Sequence, residues 1–252
     1  MNQKENITKL LVFDVWGDYA HFRRSYTTTS PLSFSIPPRT ALSGLIGAIL
    51  GLEKKDNEYL KHFALNDAKI GLRLLKPIKK VRIAENLIDT KTARGIGMNL
   101  IKNRTQIGFE FLKDAKYRIY FWHKNIEIYN QLKKNLLENK SVYTPCLGLS
   151  ENIANFEFIG EPNISMEKTN NETSIHSVIP TERLDKRGID FNTKGEYFSV
   201  RLPIEMNQER IVTKYTDILF ERNGDPIKVK MKEPYWKIVY DDRRKENIVF
   251  IE

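Results

Sequence analysis

The feature that most constrains this chain is a buried-strand signal followed by an abrupt helix start. Ile7 to Trp16 contains the run Leu10, Leu11, Val12, Phe13 with Val15, the pattern of a largely buried strand. From Gly17 to Phe34 the sequence turns polar and aromatic without helical period, which predicts a long functional loop. His21, Arg23, Arg24 and Tyr26 stand in it. Pro37 and Pro38 then fix the backbone, and Pro38 suits the first turn of a helix, where a missing N–H costs nothing. Arg39, Thr40 and Ser43 follow at that helix start, where free backbone N–H groups favour anions. A strand feeding a helix through a loop of Arg, Tyr and Thr is a place to hold a phosphate backbone.

The helix carries Gly44, Gly47 and Gly51 at spacings of three and four. An interior glycine costs about 1 kcal/mol relative to Ala, so this backbone is expected close to a sheet or to a ligand. Gly51 alternatively caps the C-terminus. A short helix at Asp56–Leu65 and a strand at Ile70–Leu75 come next. From Lys76 to Gln106, eight cations are opposed only by Glu85 and Asp89. This segment reads as an excursion from the core, a long hairpin or a mobile loop, and offers Arg94, Met98, Asn99, Lys102, Arg104 and Gln106 to a polyanion.

Ile107–Leu112 and Tyr117–Trp122 read as a hairpin turning at Lys113–Lys116, and Ile126–Asn139 as an amphipathic helix. Beyond a break at Pro145–Gly148, short strands are expected at 156–159, 197–202, 211–219, 227–231, 236–240 and 248–251, with a mobile loop at 163–173. The order β-α-(α)-β, basic insertion, β-β-α approximates a split βαβ, ferredoxin-like unit. The fold class is therefore α+β.

Forty-one basic against 32 acidic side chains give a formal charge of +9, which favours nucleic acid or an anionic membrane over acidic metabolites. The lone Cys146 excludes an internal disulfide and a thiolate zinc cluster. The longest apolar run, Ala41–Leu52, is too short to span a bilayer, and the first residues lack the apolar core of a signal peptide. A cytoplasmic protein with no membrane partner, no small-molecule substrate, no cofactor and no metal is expected. Metal-free RNA cleavage would need a His or Tyr base and a Lys or Arg to stabilise developing charge. His21, Tyr26, His123 and Lys124 supply those types, but the four histidines share no close spacing. Binding of single-stranded RNA is better supported, through cations on phosphates and aromatics on splayed bases.

Several strings also resemble a known family. They are Asp14-Val15-Trp16-Gly17 through Arg24, Pro38-Arg39-Thr40-Ala41-Leu42-Ser43-Gly44-Leu45-Ile46-Gly47, Asn103-Arg104-Thr105-Gln106 leading to Glu110-Phe111-Leu112, and Pro145-Cys146-Leu147-Gly148-Leu149-Ser150. Together they resemble the fifth CRISPR-associated protein family, a RAMP-superfamily subunit of type I Cascade effectors, over most of residues 8–160 and most like subtype I-B. The resemblance implies a ferredoxin-like (RRM-like) core at 1–148, an inserted β-hairpin thumb at about 78–108, and a small β-rich C-terminal domain at 149–252. It further implies a non-catalytic subunit that caps the 5′ handle of the crRNA and joins the large and backbone subunits in antiviral defence. Arg39, Thr40 and Ser43 would face the handle. The alternative is the I-C branch of the family, a metal-independent endoribonuclease that processes repeat RNA.

Overall fold

A computed structural model describes residues 7–27, 30–88, 104–189 and 194–252. Its centre is a sheet whose strands alternate between two buried faces. The first part of the chain runs β1 (Leu11–Ala20), α1 (Arg39–Leu50), β2 (Ala68–Leu74), β3 (Lys79–Ile88), β4 (Arg104–His123), α2 (Ile126–Leu137) and β5 (Asn155–Gly160). The strands lie in the order β2-β4-β1-β5, with β3 paired to the far part of β4. All these pairings are antiparallel. Phe13 and Val15 of β1, Ile70 and Leu72 of β2, and Ile119 and Phe121 of β4 point to one side, where α1 and α2 supply Leu42, Ile46, Ile49, Leu132 and Leu136. Val12 and Tyr120 point to the other side, against Ile164, Trp236, Ile238, Ile248 and Phe250. Side chains with a period of two explain why such strands tolerate few polar residues on either face.

The remaining strands are β6 (Asn163–Glu167), β7 (Thr173–Ile175), β8 (Ile179–Pro180), β9 (Leu184–Ile189), β10 (Tyr197–Met206), β11 (Val212–Glu221), β12 (Ile227–Met231), β13 (Tyr235–Val239) and β14 (Lys245–Ile248). They form three small sheets, β10-β11-β8, β7-β12-β9 and β14-β13-β6. The fold is mainly β, with two α-helices on one face of its largest sheet. A division at 148/149 was expected from the sequence. Strand β5, beyond that line, pairs with β1, and Val178, Leu202, Ile204, Ile218, Phe220 and Ile251 belong to the same core as β1 and α1. The outer edge of β2 is covered in turn: the Val178 and Ile251 N–H groups donate to Leu72 O and Ile70 O, both at 2.8 Å.

Four expectations change. Residues 17–20 extend β1 rather than opening a loop. Lys113–Lys116 is not a turn; β4 runs unbroken for 20 residues, with Asp114 at φ +55°. Turn-like composition loses there to hydrogen bonds on both edges, because β1 pairs across the site with one register while β2 and β3 pair on either side of it. Residues 55–63 form 3₁₀ turns broken by positive φ at Asp56 and Asn57, not a regular helix. Asn163–Glu167 is a strand held by β13, not a mobile loop. Helices α1 and α2 do fall where expected: Gly51 caps α1 at φ +82°, its N–H donating to Gly47 O. The Asn125 side chain caps α2 by accepting from Glu127 N at 2.8 Å.

On the face away from the helices sits a buried ionic cluster. Arg118 donates to both Asp14 oxygens, at 2.8 and 3.2 Å, and to Glu246 at 3.3 Å. Arg73, Tyr120 and Tyr240 also donate to Glu246. Burial pushes the Glu246 carboxyl up, but these four donors hold it below the ordinary value of 4.5. Its contribution is therefore complete above that pH and is lost as pH falls through the lowered value. Arg118→Leu leaves Asp14 and Glu246 buried with too few donors and is expected to cost about 3–5 kcal/mol. Urea unfolding at pH 7 measures this, and an unshifted midpoint would contradict the assignment.

Candidate nucleic-acid interface

A groove of about 830 Å³ runs along the exposed side of α1. Thr40, Ala41, Gly44, Leu45 and Ala48 form its floor, His21, Phe22, Arg23 and Ser25 one end, and the β10–β11 hairpin the facing wall through Pro203, Met206, Val212 and Tyr215. Tyr59, Tyr143 and the strap around Cys146 and Gly148 complete the lining. Gly44 explains part of this shape, because a Cβ there would meet nothing within 4 Å. The helix presents bare backbone to the groove. Gly47 instead faces Tyr59 at ordinary contact distance.

The charge is one-sided. Arg23, Lys54 and Arg210 line the groove, and no carboxylate side chain does among the described residues. All three cations are exposed. Tyr143 and Tyr215 are 48% and 44% exposed, so two rings offer surface from opposite sides, Tyr215 with the Arg201 guanidinium 5.7 Å from its ring centre. Cations at the rim with aromatics between them suit a single-stranded polyanion with unstacked bases. Cys146 lies in the same lining, and burial raises its thiol pKa, which keeps it protonated and unreactive.

The loop candidates divide. Arg23 is exposed and donates to Thr27 O at 3.1 Å. Arg24 is committed to shaping the loop, donating to Ser33 O at 3.2 Å and Tyr26 Oη at 2.8 Å while lying over the Phe34 ring. Tyr26 is 69% exposed. Thr40 lines the groove. Arg39 and Ser43 do not face it: both are 1% exposed. Ser43 donates to Arg39 O, and the Arg39 guanidinium donates to the carbonyls of Phe63, Ala68 and Ile204. These bonds turn both side chains inward, away from any phosphate at the helix start. Arg104 and Gln106 are exposed on the two-stranded β3–β4 ribbon. Arg94, Met98, Asn99 and Lys102 lie outside the described residues.

The histidines do not converge. His21 Nδ1 donates to Glu110 O at 2.8 Å, its ring lies beside Phe109 and Phe111, and its buried Nε2 lacks a partner. His123 uses both nitrogens on backbone: Nε2 donates to His62 O at 2.7 Å and Nδ1 accepts from Asn125 N at 2.9 Å. Burial lowers its pKa, keeping that neutral tautomer. Glu110 and His123 lie near opposite ends of the continuous strand β4, roughly 40 Å apart at about 3.3 Å per residue, so His21, bonded to Glu110, stands far from His123 and Lys124. Lys124 is exposed.

Glu110 stood in the sequence only within a family string, with no role assigned, yet it joins loop to ribbon. Its carboxylate accepts from Ser33 N at 3.2 Å and Lys80 Nζ at 2.8 Å. Burial would raise its pKa, but Lys80 and Ser33 hold it low. Lys54, Tyr59, Tyr143, Arg210 and Tyr215 were also missed, since they come from three separate segments and none sits in a motif.

A profile described as CRISPR-associated protein (Cas_Cas5) matches residues 10–214, most of the chain. The chain belongs to the Cas5 family. Two solved structures share its fold. One, titled as a CRISPR RNA-guided surveillance complex, has a TM-score of 0.52 at 13% identity, covering 86% of this chain and 91% of that one. The other, a CRISPR protein from Archaeoglobus fulgidus, has a TM-score of 0.51 at 15% identity, covering 95% and 98%. No curated protein matched. Within this Cas5 member, no helix among the described residues is long and apolar enough to cross a membrane.

Two glycines test the groove. Gly44→Ala is expected to raise stability by roughly 0.5–1 kcal/mol, because its Cβ enters open space and Ala favours helix. Gly148→Ala should instead unfold the strap around Cys146, since φ is +97° and its Cβ would lie 1.9 Å from His21 O. Thermal melts of both variants check this, and equal shifts of the same sign would refute the placement.

Proposed function

We propose that this Cas5 protein is a non-catalytic, RNA-binding subunit of a type I, I-B-like CRISPR effector, holding the 5′ handle of the crRNA in the α1 groove and joining large and backbone subunits. The β-α-β-β-α-β unit with strand order β2-β4-β1-β5 is taken as the ferredoxin-like core, and the β3–β4 ribbon as the thumb. The observation that carries the reading is the groove with three cations, exposed tyrosines and no lining carboxylate among the described residues. Family membership and the fold shared with a surveillance-complex structure support it.

Phosphates would meet Arg23, Lys54 and Arg210, while bases stack on Tyr143 and Tyr215. Phosphate contacts position the strand, and the shape of the groove selects unstacked nucleotides. The ribbon adds Lys79, Arg82 and Gln106, exposed on its surface. One observation favours endoribonuclease activity instead, the partnerless Nε2 of His21. Its Nδ1 bond to the Glu110 carbonyl leaves Nε2 as the lone-pair nitrogen, but that atom is buried, out of reach of a bound strand.

Two measurements decide. In filter binding with repeat-derived single-stranded RNA, removal of Arg23, Lys54 or Arg210 should weaken affinity and reduce the log–log salt slope by roughly 0.7 each. Tyr143→Ala or Tyr215→Ala should cost about 1–3 kcal/mol with the slope intact. Wild-type affinity in all five variants would sink the groove as the RNA site. Repeat RNA incubated with the protein in EDTA should stay whole; specific cleavage abolished by His21→Ala or His123→Ala would establish the enzyme instead.

A further inference from the structure

Arg39 is among the largest fully buried side chains. Among the described residues its hydrogen bonds all go to carbonyls, while Glu205 and Glu252 act on its charge from beyond hydrogen-bonding distance. Its donors reach three carbonyls in three separate places. Nη1 bonds Phe63 O at 2.8 Å and Ile204 O at 3.1 Å, and Nη2 bonds Ala68 O at 2.8 Å. Nε is buried without a partner. A cation buried this way is expensive, and an apolar side chain of similar volume would usually fill such a site at lower cost. Stability alone therefore does not account for it.

The three carbonyls do. Arg39 opens α1, which is the floor of the groove. Ile204 lies in β10, whose Pro203 and Met206 are in the facing wall. Phe63 and Ala68 end the 3₁₀ segment and begin β2. Three further ties lie along the same wall among the described residues: Glu205 Oε1 accepts from Leu65 N at 3.1 Å, Gln208 O accepts from Asn57 Nδ2 at 2.8 Å, and Gln208 Nε2 donates to Asp56 O at 3.4 Å. Beside the apolar packing of α1 with Leu202 and Ile204, the Arg39 bond is, among the described residues, the hydrogen bond that reaches the wall from the groove floor itself. The fork geometry of guanidinium allows one side chain to fix three carbonyls at once, which an ammonium on a flexible stem cannot reproduce.

We propose that Arg39 is a positioning residue that sets the separation of the α1 floor and the β10–β11 wall, and so the fit of the groove to a single RNA strand, without touching RNA. The role in RNA binding rests on the groove being the RNA site; the mechanical role does not. Hydrogen exchange by mass spectrometry and salt-dependent binding of repeat-derived single-stranded RNA separate the two. In Arg39→Met, amides of residues 200–212 should exchange at least about tenfold faster, while those of β1 and β4 keep wild-type protection once temperature is set equally far below each melting point. RNA affinity should fall about tenfold with an unchanged salt slope, because no phosphate contact is lost. Arg39→Lys, which keeps the charge and preserves folding should Arg39→Met fail, is expected to protect the hairpin only partly.

A uniform rise in exchange across the protein, or a hairpin as protected as in wild type, would overturn the proposal. A slope reduced by roughly 0.7 would do so as well, by making Arg39 a phosphate ligand. If wild-type protein fails to bind the RNA at all, the functional reading falls, and the exchange data still decide the role of Arg39.

Discussion

Strand β4 is the constraint on which the other parts depend. Its 20 residues pair with β1 and β2 at one end and with β3 at the other. One backbone thus carries the central sheet, where both faces are buried, into a ribbon whose residues are largely exposed. The passage is made at Asp114, where a positive φ lets β4 keep its ladder with β1 while the partner on the other edge changes from β2 to β3. Glu110, four residues earlier on the ribbon side, then fastens the 21–33 loop through Ser33, Lys80 and His21. Sheet, ribbon and loop hold fixed places because they share a strand.

Charge is used in two opposite ways. Arg118 and Arg39 are buried and spent on internal acceptors, the first on carboxylates and the second on carbonyls. Neither is available to a ligand. Arg23, Lys54 and Arg210 are exposed around the groove and face no lining carboxylate among the described residues. The formal charge of +9 mixes both populations, so it points to a polyanion without identifying the residues that meet it. Position along the chain is a poor guide as well: the three rim cations come from a loop, the start of the 3₁₀ segment and a distant hairpin.

Much of the fold was legible because periodicity is local. The apolar run in β1, the Leu132–Leu136 stripe of α2 and the Gly51 stop of α1 are all written within a few residues of where they act. The misreadings were of another kind. Lys113–Lys116 has the composition of a turn, and only partners far along the chain keep it extended. Asn163–Glu167 is polar, and its strand state comes from β13, some seventy residues away. Arg39 carried the right residue type at a helix start for an anion site, yet the carbonyl of Ile204, 165 residues on, captures it. The groove was half legible, since the glycine-bearing floor lies in one segment, whereas Tyr143, Arg210 and Tyr215 arrive only through folding.

The central claim is that the α1 groove receives single-stranded RNA. Photocrosslinking with 4-thiouridine-substituted repeat RNA, followed by peptide mapping, tests it most directly. Adducts at Tyr59, Tyr143 or Tyr215, competed by unlabelled RNA, are the predicted result. Adducts confined to α2 or to the β6–β13–β14 sheet, with the groove tyrosines untouched, would contradict it.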